Sequence, residues 1–402
     1  MVILEINSHI SGSTGKIMLD TAEQARLRGH IVFTSSAVHR NEKKIVSDFH
    51  IYISNVIEKK IHNVLRKYTG YNGIYSQIGT FLFLRKVDNI SPDLIHIHNL
   101  HSSYLDMRQL FHYVKKNNIP VVWTLHDCWT FTGHCTYFDV LNCDGWKKNG
   151  CKLCEHYDEY PNTKVNKVGK MYNLKKKLFL NGSVKMLITP SQWLADLCAE
   201  SFWKNTPVSV IRNGINTDIF KYVPNEIKQQ LGIKDKFMIL GVANPWNYRK
   251  SPDIFVRLSE ELNNEEFQIV IVGSDGSEFD NNKNIIYINR TNDQYELASY
   301  YSAADILVNP TREDNFPTVN IEALSCGTPV ITFKTGGSAE CISDDCGIAV
   351  EKENLQELIT AIISAKNKPF NREKCARKGL EYTRERQTEA YLKIYEKFLE
   401  KR

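Results

Sequence analysis

The feature that most constrains this chain is a rhythm of short apolar runs separated by longer mixed stretches, repeated in two series. In the first series residues 2–6, 31–34, 94–98, 121–125 and 186–189 read as buried strands, two of them running into His or Asp at His98 and at His126-Asp127. In the second, residues 237–242, 267–272, 285–288, 306–309 and 329–333 do the same, with Gly273, Pro310 and Gly327 marking their ends. Continuous apolar strands alternating with helical stretches predict parallel sheets covered by helices on both faces. A chain of 402 residues also exceeds what one hydrophobic core supports. The expected fold is therefore α/β, with two Rossmann-like doubly wound domains spanning residues 1–207 and 208–385. Asn213-Gly214, Pro224 and Gly232 interrupt regular structure near the boundary. Residues 386–402 form a helix whose apolar face carries Tyr391, Ile394, Tyr395 and Phe398; it either packs on its own domain or crosses back to the first.

Composition narrows the class. Hydrophobic residues at 42% and charged residues at 24% describe an ordinary globular protein. The opening segment MVILEIN lacks a basic n-region and reads as a first strand rather than a signal peptide, and no apolar stretch is long enough to span a bilayer. A cytoplasmic chain is the expectation. Residues 1–200 carry 25 Lys/Arg against 17 Asp/Glu, so the net charge of +5 is concentrated in the first half, which suits anionic partners.

In open α/β sheets ligands bind beyond the carboxyl ends of the strands. There, Gly336 and Gly337 let the backbone approach an anion, and a helix starting near Ser338 points free N–H groups at it. Upstream, Asp314 lies in a Pro-containing loop and Glu322 eight positions later on a helix, a spacing that lets two carboxylates accept hydrogen bonds from sugar or ribose hydroxyls. Phosphates then need a cation. Lys250, with Arg249 second, ends the loop after residues 237–242 and supplies it.

In the first half, Gly12 and Gly15 follow the first strand and can expose backbone amides at a helix start, without the spacing of a Walker A loop. His126 ends the strand at residues 121–125 and can donate a hydrogen bond as a neutral imidazole; Asp127 is read as orienting the loop.

The run from Glu313-Asp314-Asn315-Phe316-Pro317 through Glu322 to Cys326-Gly327-Thr328-Pro329-Val330, with Gly336-Gly337 and Glu340, resembles the retaining glycosyltransferases of family 4, a branch of the GT-B superfamily, and in particular colanic-acid and capsular-polysaccharide transferases. The resemblance spans nearly the whole chain. It implies two domains facing a cleft, a nucleotide-sugar donor held in the C-terminal half, and an oligosaccharide or lipid-linked saccharide acceptor in cell-surface polysaccharide synthesis. It places Asp314 at the transferred sugar, Glu322 at the donor ribose and His126 near the donor sugar, and it implies attack by the acceptor hydroxyl on the face that releases the nucleotide. No catalytic metal is expected. Two departures stand out: the first acid is Asp314 rather than Glu, with Glu313 adjacent, and Ala243 and Asn244 occupy the part of the loop where the family has an arginine, a gap that Arg249 can fill from another direction.

A separate constellation, Cys135, Cys143, Cys151 and Cys154, follows a Cys-x7-Cys-x7-Cys-x2-Cys pattern that suits a structural zinc, with His134 or His156 as substitutes for one cysteine; another metal and unligated thiols are the other readings. Residues 164–177 hold six lysines among apolar residues and read either as a solvated basic helix or as a face for an anionic membrane. Nucleotide-sugar epimerisation is the alternative chemistry. Nucleic-acid binding is the non-enzymatic one, and it leaves the carboxylate and phosphate motifs unexplained, so no nucleic-acid partner is expected. Donor base, sugar, linkage, acceptor and oligomeric state are not written in the sequence.

Overall fold

The computed structural model describes residues 1–39, 45–152, 154–158 and 160–399, with the side chain of residue 399 excepted. Two compact units are present, Met1–Arg212 with Gln387–Arg402, and Asn213–Arg386.

The first unit contains a seven-stranded sheet built from β1 (Val2–Ile6), β2 (Ile31–Ser36), β3 (His50–Tyr52), β4 (Leu94–Ile97), β5 (Val121–Thr124), β6 (Val184–Thr189) and β7 (Val208–Val210), in the order β3-β2-β1-β4-β5-β6-β7. Every pairing is parallel. The order reverses direction at β1/β4, the kind of switch point where loops diverge and leave room for a ligand. The boundary falls after Arg212 rather than after residue 207, because Val208–Val210 completes this sheet.

The second unit holds β8 (Phe237–Val242), β9 (Phe267–Val272), β10 (Ile285–Ile288), β11 (Ile306–Asn309), β12 (Val330–Phe333) and β13 (Gly347–Val350), again all parallel, in the order β10-β9-β8-β11-β12-β13. Its switch point is β8/β11. The central strands of both sheets are buried on both faces, which is why they read as unbroken apolar runs.

Three helices of the first unit matter below: α1 (Gly12–Leu27), α2 (Val56–Thr69) and α3 (Gln77–Ile90). Asn55 caps α2 by accepting from Glu58 N–H, and Gly70, left-handed at φ 76, ends it, a start and a stop of the usual chemistry. Of the two readings of the C-terminal helix, the return to the first unit is the one found. Tyr391, Leu392, Ile394 and Tyr395 are buried with Ile3, Val122 and Ile188. Burying four such side chains stabilises by about 6–10 kcal/mol as an upper figure.

The core beside β5 is aromatic. Trp123 packs on Phe179 at 4.8 Å and on Trp203 at 6.2 Å between ring centroids. Its indole N–H finds a buried acceptor, as such groups require, in the carbonyl of His98 at 2.7 Å. The lysine-rich segment forms the helix Val168–Phe179, and it does not turn its apolar side outward: Val168, Met171, Lys175 and Phe179 are all buried. That face is spent on the core and is not available to a membrane.

Candidate active site

At the carboxyl edge of the first sheet, Asn7 ties three loops together. Its side-chain amide donates to the His9 carbonyl at 3.1 Å and to Thr14 Oγ1 at 3.3 Å, and its carbonyl accepts from Ser8 N–H at 2.9 Å and Asn99 N–H at 3.3 Å. The two glycines of this loop do different work. Gly15 lets Ile10 pass close: a Cβ there would lie 2.4 Å from the Ile10 carbonyl carbon. Gly12 opens α1 with φ 71, and a Cβ there would meet nothing within 4 Å. Bare backbone is left at the helix start, as an anion site needs.

His126 follows β5 and stacks on His98, with Nε2 3.0 Å from His98 Nδ1. Burial, then the charge of His98, pushes its pKa down to about 3, so it is a neutral imidazole at physiological pH. Asp127 is engaged within its own turn. Its Oδ2 holds His101 Nε2 at 3.0 Å and its Oδ1 accepts from Trp129 N–H at 2.9 Å, which makes it an anchor for the turn.

Behind His126 lies a polar network that sequence reasoning missed. His98 Nε2 faces the buried Glu5 carboxylate at 3.6 Å, and His96 sits between Tyr395 Oη at 2.5 Å and Thr124 Oγ1 at 2.8 Å. Burial pushes Glu5 well above the usual carboxylate range, against the pull of Arg26, because an apolar surrounding disfavours the charged form. Among the described residues, Glu5, His96 and His98 form the one group of three ligand-type atoms within 4.8 Å of one another. Both His96 nitrogens already have hydrogen-bond partners, so the cluster is a proton-linked network and not a metal centre. Its trace in the sequence is a charge inside the apolar run at residues 2–6 and two histidines two apart, one in β4 and one just after it, hence on one face of an extended segment.

In the second unit, the short 3-10 turn Tyr248–Lys250 follows β8 and meets the loop after β11. Lys250 Nζ is 2.5 Å from Asp314 Oδ2, in a pair that is largely buried. Arg249 donates to the Glu313 carbonyl at 3.3 Å and lies 4.0 Å from its carboxylate. Both predicted cations thus have carboxylate neighbours.

Arg312, also missed, fastens these segments. Only 4% exposed, it binds Asp253 and Glu353, donates to the Tyr248 carbonyl at 2.9 Å and stacks on the Tyr248 ring at 4.2 Å. The Asp253 hydrogen bond holds its pKa above the ordinary arginine value.

Glu322 lies on the helix Thr318–Ser325 and accepts from Tyr301 Oη at 2.9 Å. Burial, then the Glu322 charge, keeps that phenol protonated and a donor. Asn320 on the same helix accepts from Asn309 and donates to the Ser338 carbonyl at 3.0 Å, coupling β11 to the turn after β12. Gly336 adopts φ 54 in that turn, as a tight backbone approach requires. The element after Gly337 is a single 3-10 turn, Ser338–Cys341, instead of a helix: Ser338 N–H closes back on the Thr335 carbonyl and Ser338 Oγ contacts Thr332. It offers fewer free amides than the sequence suggests.

The four cysteines of the insertion, Cys135, Cys143, Cys151 and Cys154, are partly buried free thiols, whereas Cys128 is buried in the core beneath them.

The two-sheet plan has well-defined counterparts. Sucrose-phosphate synthase from Thermosynechococcus elongatus superposes with a TM-score of 0.74 at 17% identity, covering 100% of both chains. HepE of Anabaena, determined in complex with UDP-glucose, gives 0.65 at 15% identity over 99% of this chain and 100% of its own. These likenesses show the fold, the two-sheet plan of GT-B. The family model for Glycosyltransferase Family 4 matches residues 17–219, half of the chain, and that for Glycosyl transferases group 1 matches residues 224–382. The chain belongs to glycosyltransferase family 4. Among its relatives is the colanic acid biosynthesis glycosyl transferase WcaC of Escherichia coli, 26% identical over 381 residues and covering 89% of each chain.

Proposed function

We propose that this enzyme is a retaining transferase that moves a hexose-type sugar from a nucleoside-diphosphate donor to a lipid-linked saccharide acceptor in cell-surface polysaccharide synthesis. The observation that carries the donor reading is the grouping at the second sheet's carboxyl edge, where Lys250 pairs with Asp314 and Arg312 locks both of their segments together. In this reading the acceptor hydroxyl attacks the anomeric carbon on the face from which the diphosphate leaves, through an oxocarbenium-like state. The departing phosphate takes the hydroxyl proton, and Lys250 meets the charge that develops on it. Asp314 and Glu322 grip hydroxyls of the sugar and ribose, Gly336 and Gly337 bring backbone to the diphosphate, and neutral His126 donates to the donor sugar. With a lysine at the leaving group, no catalytic metal is called for. The test is to incubate the enzyme with a panel of nucleotide sugars and lipid-diphosphate saccharides and to follow nucleotide release and the product by NMR. The expected outcome is acceptor-dependent release and a new bond with the donor's anomeric configuration. Inverted product overturns the retaining assignment, and free epimerised sugar without acceptor establishes the epimerase instead.

The acceptor reading rests on the first unit. A cavity of about 350 Å³ is lined by His39, Lys59, Lys60, Arg66, His101 and Tyr160 among others, a cationic surface suited to a phosphorylated acceptor. α2 supplies Lys59, Lys60 and Arg66 to this cavity while exposing Ile57, Ile61, Val64 and Tyr68 along another face. α3 adds exposed Ile78, Phe81 and Leu82, and the helices meet where Glu58 accepts from Gly79 N–H. Ile57 at 71% and Ile78 at 72% exposure are too open for ordinary surface scatter beside so many apolar neighbours. No described helix is long and apolar enough to cross a membrane. We place peripheral contact with an anionic bilayer on α2 and α3, in contrast to the buried face of Val168–Phe179. Ile61→Ser with Phe81→Ser is expected to weaken binding to phosphatidylglycerol vesicles by about 10-fold or more. Equal sedimentation of the variant and the parent with vesicles would remove this surface from consideration.

A further inference from the structure

Two buried chains of polar groups meet at Glu5, and the hydrogens available to each fix the direction in which it runs. The first reaches in from the C-terminal helix. Thr124 Oγ1 donates to Tyr391 Oη at 3.4 Å. A hydroxyl has one hydrogen to give, so the same oxygen accepts from His96 Nε2, 2.8 Å away. His96 is held neutral by burial and carries only that hydrogen, so its Nδ1 accepts from Tyr395 Oη at 2.5 Å. Every donor of this chain is committed, and His96 has none left for Glu5.

Glu5 follows Ile3 by two positions on β1 and shares the face that packs against Tyr391 and Tyr395. Both of its carboxyl oxygens are buried, and neither has a hydrogen-bond donor among the described residues. Arg26, the cation whose field reaches it, gives Nε and one terminal nitrogen to the Val32 carbonyl instead. An ionised carboxylate so placed is far costlier than the neutral acid. The polar atom that faces Glu5 is His98 Nε2, at 3.6 Å, itself buried without another partner. That gap exceeds a hydrogen bond by about half an ångström, which a small rotation of the carboxyl closes.

His98 is fixed in place from both sides of its backbone. Its N–H donates to the Ile6 carbonyl at 2.8 Å, and its carbonyl accepts from the Trp123 indole at 2.7 Å. Its Nδ1 lies 3.0 Å from His126 Nε2, with the ring planes 15° apart. Two imidazole nitrogens in contact share one hydrogen, so one ring donates and the other accepts. The far side of His98 decides which. With Nε2 accepting from the Glu5 acid, the His98 hydrogen sits on Nδ1 and points at His126. With Glu5 ionised, both bonds would run backwards.

We propose that Glu5 and His98 are positioning residues that hold His126 in its Nδ1–H tautomer: the Glu5 acid donates to His98 Nε2, and His98 Nδ1–H donates to His126 Nε2. This rests on the proposed role of His126 at the donor sugar and deepens it. A neutral ring whose Nε2 is occupied as an acceptor gives a hydrogen bond through Nδ1 and takes no proton there. It recognises an oxygen of the sugar and does not act as the base, so the proton of the attacking hydroxyl leaves by the phosphate.

The full-length enzyme, labelled with nitrogen-15 at histidine and assigned against His126→Gln, reads the tautomer directly. Long-range proton–nitrogen correlation spectra at neutral pH are expected to show His126 with a protonated Nδ1 and a bare Nε2. A protonated Nε2, alone or in an imidazolium, overturns the proposal. That measurement needs no donor or acceptor, so an enzyme that transfers no sugar refutes the proposed function while the tautomer still decides this inference. The infrared difference between the parent and Glu5→Gln is expected to contain the carbonyl stretch of a neutral carboxylic acid. Carboxylate bands in its place reverse the chain and overturn the proposal. In transfer assays Glu5→Leu is expected to lower kcat/KM by about 10–100-fold, and Glu5→Gln, whose amide N–H replaces the acid hydrogen, to recover most of that loss. Leucine serves a merely space-filling role as well as glutamate does, so a Glu5→Leu enzyme with the parent's rate and tautomer removes Glu5 from the chain. If Glu5→Leu does not fold, the two spectroscopic results decide alone.

Discussion

Lys250→Ala is expected to lower kcat/KM for sugar transfer by about 10²–10³-fold, the usual scale for removing one group that meets developing negative charge. The lysine sits on the turn after β8, and Arg312 holds that turn in place through the Tyr248 carbonyl and ring, so the loss is local to the charge. Without ligand its partner is Asp314, at 2.5 Å. A donor diphosphate must share or displace that partner, which makes Asp314→Asn the informative comparison. With the carboxylate gone, Lys250 is freer to bind nucleotide. Nucleoside-diphosphate affinity should therefore hold or rise in Asp314→Asn while transfer falls, because the grip on the sugar hydroxyl is lost. In Lys250→Ala affinity and transfer should fall together. Arg249→Ala should cost less than Lys250→Ala, since Arg249 leans on Glu313. A folded Lys250→Ala enzyme with unchanged transfer removes the leaving-group role from this lysine, and calorimetry with the nucleoside diphosphate separates the binding and rate effects.

The residues that can be read from sequence and those that cannot differ in one physical respect. Central strands such as β4, β5, β8 and β11 are buried on both faces, so burial alone writes them as apolar runs. β3, β7 and β13 are short edge strands whose half-buried residues carry no such signature, and they emerge only in the fold. Lys250 and Asp314 are legible because they punctuate strand ends. Arg312 stands one residue from the motif, yet its partners Asp253 and Glu353 are 59 and 41 positions away, a distance no local pattern records. The network behind His126 is hidden for the same reason: Glu5 meets His96 across a strand pairing, and Tyr395 arrives from the C-terminal helix. The lysine-rich stretch misleads in the opposite sense. Its periodicity marks an amphipathic helix, but periodicity does not say whether the apolar side faces protein or solvent, and Lys175 lies on the buried side.

Acidification from about pH 7.5 to about pH 5 is expected to loosen the Met1–Arg212 unit well before the Asn213–Arg386 unit. All 12 histidines lie in residues 1–200, so the second unit has none to titrate in this window. Burial is the first cause that lowers His50 to about 4 and His62, His98 and His126 to about 3, and it also holds His96 well below its ordinary value. An unfolded histidine titrates near about 6.5. The folded unit therefore binds fewer protons than the unfolded chain, and its full stability is present above about pH 6.5 and is lost as pH falls from there toward about 3. Each independent site costs about 1.4 kcal/mol per pH unit below that point. His96, His98 and His126 share one network and are counted once; with His50 and His62 that makes about three sites and a loss of about 6 kcal/mol by pH 5. Glu5 acts in the opposite direction, because burial raises its folded pKa. It gains its proton in the folded state first, which offsets part of this loss over the same range. The histidine loss alone is comparable with a typical domain's stability of about 5–15 kcal/mol. Five of the 6 tryptophans, all but Trp246, lie in this unit, so a lowered urea midpoint by fluorescence follows it. Hydrogen exchange at pH 5 should show lost protection in β1, β4 and β5 with β8 and β11 unaffected. Equal loss in both units would trace the acid sensitivity to carboxylates common to the two, and histidine burial would no longer explain it.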